Sequence, residues 1–81
     1  MTIYQYHQLE EKNQLDTVEQ SGVLIAERDL PFCRVKLYQV ENFYVEIYHH
    51  THFNVVVNIN SFTNTDCLNP YLEQINIEGL V

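Results

Sequence analysis

The chain has 81 residues, a hydrophobic fraction of 46% and a formal net charge of −7. That length suits one domain, residues 1–81, with a single packed core and a thin margin of stability. Its four basic residues, Lys12, Arg28, Arg34 and Lys36, all lie in the first half, so the massed cations that nucleic acids and anionic membranes require are missing, and neither is an expected partner.

In chain order the first element is a helix. Leu9, Leu15 and Val18 recur at near-helical spacing among good helix formers from Gln8 to Gln20. Gly22 is expected to supply the left-handed residue that ends it. Four strand-like segments follow: Val23–Asp29, Cys33–Val40, Phe43–His49 and Phe53–Phe62. Leu30-Pro31-Phe32 breaks the first from the second, because proline cannot donate to a ladder. Glu41-Asn42 and His50-Thr51-His52 turn the chain. After Thr63-Asn64-Thr65-Asp66, the pair Asn69-Pro70 reads as an N-cap and first helical position. A short helix carrying Tyr71, Leu72 and Ile75 is predicted behind it. The tail from Asn76 carries Ile77, Leu80 and Val81, which suggests packing. The fold class is therefore α+β: an N-terminal helix, a four-stranded antiparallel meander sheet and a short C-terminal helix, with the helices on one face.

Alternation of apolar and polar residues sets the expected faces. Cys33, Val35 and Leu37, then Phe43, Val45 and Ile47, then Phe53, Val55, Val57 and Ile59 are assigned to the core face. In the first strand, Leu24 with Ala26 or Val23 with Ile25 can face inward; either choice leaves one apolar pair outside. A three-residue loop, Val40-Glu41-Asn42, pairs Leu37 with Val45, Val35 with Ile47, Lys36 with Glu46 and Tyr38 with Tyr44. This register predicts an outer sheet face of Tyr38, Tyr44 and Tyr48, extended by Lys36, Glu46, Asn54, Val56 and Asn58. Tyrosine offers large area and a polar tip, as interfaces use it. The expected function is thus a non-catalytic protein-interaction or assembly domain, with a sheet-to-sheet homodimer its simplest form. An acidic inhibitor or immunity-type partner of a basic protein is a subtype that the charge allows.

Segments Gly22-Val23-Leu24-Ile25-Ala26-Glu27-Arg28, Leu37-Tyr38, Phe43-Tyr44-Val45-Glu46-Ile47-Tyr48, Ser61-Phe62 and Pro70-Tyr71-Leu72-Glu73-Gln74-Ile75 resemble a family of small uncharacterised bacterial proteins. The resemblance spans roughly residues 22–75. It implies an α+β fold and carries over no activity and no functional residue.

No catalytic constellation is legible. His49, His50 and His52 are the candidate metal ligands of the alternative reading, a small-ligand or metal-binding protein, since imidazole suits zinc, copper and nickel. No carboxylate or thiolate at ligand spacing completes the set; Glu46 and His7 could join only through tertiary structure. Cys33 and Cys67 lack the spacing of a disulfide framework or a redox motif and read as small hydrophobes. Glu10-Glu11 and Asp66 with Glu73 read as helix-surface and cap residues. Both glycines are single, so no phosphate loop is present. No cofactor and no enzymatic activity are expected. The opening residues carry neither the basic nor the apolar region of a secretory signal, and a cytoplasmic location with reduced thiols is the expectation.

Overall fold

The chain opens with a helix that the periodicity did not reveal. Thr2 Oγ1 accepts the backbone N–H of Gln5, while Gln5 Oε1 accepts that of Thr2. This reciprocal capping box starts α1, Ile3–His7. The computed structural model describes residues 1–72. Within them α1 is followed by α2 (Glu11–Ser21), then β1 (Gly22–Asp29), β2 (Cys33–Val40), β3 (Phe43–His50) and β4 (Val56–Phe62), and a 3-10 helix at Thr65–Tyr71. The strands form one antiparallel sheet in the order β1-β2-β3-β4, the expected meander. Among the described residues no helix is long and apolar enough to cross a membrane.

Helix α2 passes into β1 without a loop. Gly22 donates its N–H to the Val18 carbonyl at φ −85°, so it does not adopt the expected left-handed conformation. Its value lies in close approach: a Cβ there would stand 2.5 Å from the Val18 carbonyl oxygen.

The β2–β3 register corrects the sequence reading. The loop is the two residues Glu41-Asn42, and Val40 pairs with Phe43, Tyr38 with Val45, Leu37 with Glu46, Lys36 with Ile47 and Val35 with Tyr48. Glu41, the first of the two, takes the positive φ of 51°, where asparagine was the residue expected to tolerate it. A shift of one residue exchanges faces along a strand. Tyr38 therefore lies on the side opposite Tyr44, and Lys36 shares a face with Ile47.

Both faces of the sheet are covered. On one, Val40, Phe43, Val45 and Ile47 pack with Tyr6 of α1 and Val18 of α2, joined by Tyr38, Val56 and Ile59. On the other, Ala26, Leu37, Tyr44 and Phe62 pack with Leu68 and Tyr71 of the 3-10 helix. The expectation of helices on one face is thus replaced by α1 and α2 on one side and the 3-10 helix on the other. That helix begins at Thr65 with Asn64 as its cap, and Pro70 lies inside it rather than at its start; the predicted Ile75 and the tail fall outside the described residues.

Two bulges complete the correction. In β1 the ladder slips between Leu24 and Ala26, which lets Ile25 and Ala26 both join the second cluster and leaves Val23 and Leu24 exposed. In β3–β4 it slips between Tyr48 and His49. Strand β4 starts at Val56 rather than Phe53, and Val56 with Ile59 turns inward in place of the expected Phe53, Val55 and Val57.

Candidate functional site

The tyrosine surface expected from the sequence does not form as one face. Tyr38 packs against the cluster beneath α1 and α2, and burial pushes its hydroxyl pKa upward, aided by Glu27 and Glu19. Tyr44 is buried on the opposite side, stacked on Phe62 with ring centroids 5.6 Å apart. Tyr48 is half-buried on Tyr44's face, opposite Val35 and Asn58. Val56 is half-buried on the helix-covered side, and Asn54 sits in a turn at φ 53°.

Glu46, also assigned to that surface, is one of the most buried polar side chains of the sheet, at 5% exposure. Tyr71 donates its hydroxyl to Glu46 Oε2 at 2.5 Å, Asn60 Nδ2 donates to Oε1 at 3.0 Å, and Arg28 Nη2 stands 3.5 Å from Oε2. Arg28 Nε donates to the Tyr71 hydroxyl at 3.1 Å, with the guanidinium 5.4 Å from the Tyr71 ring centroid. Burial works against the charge of Arg28, yet the bond to Tyr71 and the Glu46 carboxylate hold its pKa above the ordinary value. Burial and then the Glu46 bond raise the Tyr71 hydroxyl pKa strongly. Each polar group has a partner, so the network fastens the 3-10 helix to the sheet.

Other exposed groups lie at the end of the sheet where β1 turns into β2 and β3 into β4. Thr51 donates its N–H to the Phe32 carbonyl at 3.1 Å, tying the two turns together. Phe32 is 73% exposed and Phe53 70% exposed, with Val55 also outside. Phe53 is flanked by His50 and His52, with ring centroids at 4.9 and 5.0 Å. His50 Nδ1 accepts the backbone N–H groups of His52 and Phe53 at 3.1 and 3.2 Å, which shapes the turn. That nitrogen is thereby used as an acceptor, and His49 stands on the other side of the strand, opposite Arg34. The three histidines do not converge. Among the described residues no three His, Cys, Asp or Glu side chains are grouped so as to hold a metal ion. Of the thiols, Cys33 is half-buried opposite His50 and Cys67 is exposed in the 3-10 helix; both are free.

Beside this aromatic tip is an open cleft of about 450 Å³ lined by Asp29, Arg34, Lys36, His49, His50, Thr51 and Asn54. Arg34 Nε donates to Asp29 Oδ1 at 2.9 Å. Burial and then the Lys36 charge lower the His49 pKa. The sequence held a signal for the tip in Phe32 and Phe53, each set among turn residues, but alternation assigned Phe53 to the core.

No protein-family model, curated protein or solved structure matches the chain.

Proposed function

We propose that the chain is a non-catalytic protein-interaction module, and that its contact surface is the aromatic tip of Phe32, Phe53 and Val55 rather than the face of the sheet. The observation that carries this is the pair of phenylalanines, each about seven-tenths exposed, on two turns locked together by Thr51. A buried phenylalanine side chain contributes about 1.5–3 kcal/mol relative to an exposed one, so two rings held outside the core keep a large apolar contribution in reserve for a partner. The turns are tied by hydrogen bonds, which limits the ordering loss on association. The partner is a protein, a second copy of this chain included.

The test places a photo-crosslinking amino acid at position 53 in one variant and at position 4 in another, within the cells that make the chain. Tyr4 is 77% exposed and lies far along the fold on α1, so it controls for exposure alone. A discrete protein adduct at position 53, absent at position 4 and lost when Phe32→Ser is added, is the expected result. Equal adducts at both positions, or none at 53, would overturn the reading. Sedimentation equilibrium of the purified chain separates self-association from a different partner.

A further inference from the structure

We infer that the cleft beside the aromatic tip is an oxyanion-binding site in which Lys36 and Arg34 are the donors and His49 adjusts the affinity with pH. Two of the four Lys and Arg residues of the chain line this one cleft. They sit two apart on β2, on one face, and His49 stands opposite Arg34 on β3, so three cationic or potentially cationic groups project from adjoining positions. Asp29 occupies Nε of Arg34, which fixes the guanidinium while its two terminal amino groups remain as donors of the fork. Among the described residues Lys36 has no ion pair within 4.0 Å. It stands opposite Glu27 in the ladder, but Glu27 does not line the cleft.

The local field supports the same conclusion. In a chain of net charge −7, the charge that acts on His49 is the positive one of Lys36, second to burial in lowering its pKa. The charge felt at His49 is thus that of Lys36, while the Asp29 and Glu27 carboxylates act on Arg34. The charged and titratable groups that line the cleft are Asp29 from β1, Arg34 and Lys36 from β2, and His49 and His50 from β3, with Glu27 of β1 outside it, opposite Lys36. A bound anion offsets the crowding of Lys36 and His49, and protonation of His49 adds a further positive charge. Binding thus strengthens as pH falls through the His49 titration.

Sulfate is the probe, because it keeps its double charge across the range in which histidine titrates. The intact chain is titrated with sodium sulfate against sodium chloride of matched ionic strength, following the backbone amide resonances at positions 34, 36 and 49, which every variant retains. Expected are a saturable shift with sulfate alone, an affinity about tenfold weaker in Lys36→Met, and tighter binding at about pH 5.5 than at about pH 8 that His49→Gln abolishes. Should Lys36→Met fail to fold, Arg34→Gln, at a half-exposed position, is expected to weaken binding to a similar degree. A response identical for sulfate and chloride, or one unchanged in both the lysine and arginine variants, overturns the site. The aromatic contact is read by crosslinking at position 53, so the two can fail separately.

Discussion

Tyr71 and Glu46, 25 residues apart in sequence, are joined by a 2.5 Å hydrogen bond at the interface between the 3-10 helix and the sheet. The bond lets a carboxylate occupy a site that alternation would otherwise give to an apolar residue. It also fixes which segment covers the second face, since Arg28 and Asn60 complete the shell from β1 and β4.

Removing the tyrosine hydroxyl should therefore destabilise the fold through the group left behind. Tyr71→Phe keeps the ring against Leu68 and Phe62 but deprives Glu46 of a donor, at a cost of about 1–3 kcal/mol. Urea denaturation of Tyr71→Phe, Glu46→Gln and the double variant measures it. The two single effects should not add, because both changes act on the same bond, which loses its donor in one and the charge of its acceptor in the other.

Stability should also fall in alkali. Burial pushes the Tyr6 hydroxyl up to about 12, and those of Tyr38 and Tyr71 rise as well. A tyrosine whose folded pKa exceeds its unfolded one, about 10, contributes stability that is complete below that unfolded value and is lost as pH climbs through the folded value. Denaturation midpoints should hold steady to about pH 10 and then decline towards pH 12. The decline should be smaller in Tyr6→Phe, with tyrosinate absorbance marking the titration.

At the junction of α2 and β1, Gly22→Ala should lower stability by about 1–3 kcal/mol, because a Cβ would meet the Val18 carbonyl at 2.5 Å. Its φ is negative, so the penalty is one of contact rather than of backbone conformation. Gln20→Ala, at an exposed helical position two residues earlier, should change stability by less than about 0.5 kcal/mol. Thermal denaturation compares the two.

The two outward phenylalanines should be dispensable for folding. Phe53→Ser is expected to alter stability by no more than about 0.5 kcal/mol. Phe43→Ala, at a position with no exposure and a ring 5.3 Å from that of Tyr6, should cost about 3–5 kcal/mol. Chemical denaturation of both distinguishes a binding residue from a core residue of the same type.

The meander and its four strands were legible because turn residues separate runs of β-formers. The faces were not, and β3 shows why. Phe43, Tyr44, Val45, Glu46 and Ile47 are all buried, as happens when both sides of a strand are covered, and a continuous buried run carries no alternation to read. Lys36 opposite Glu46 and Tyr38 opposite Tyr44 made an attractive alternative register, but it required Glu46 to be a surface charge. Its true partners, Arg28, Asn60 and Tyr71, come from three other elements, and no local pattern announces them. The short α1 was present in the text as Thr2-x-x-Gln5, a capping signature. For the candidate site, Lys36 and the histidines were singled out for other purposes; Phe32, Arg34 and Asp29 join them only through the register and the Thr51 bond.

The pairing of β2 with β3 decides where every one of these side chains stands, and proton NMR of the aromatic rings tests it directly. Nuclear Overhauser contacts from the Tyr38 ring should reach the methyls of Val45 and Val18, while those from the Tyr44 ring reach Leu68 and Phe62. Tyr38 and Tyr44 sharing one set of neighbours, with neither ring near Val18 or Leu68, would contradict the register and with it the placement of the tip and the cleft.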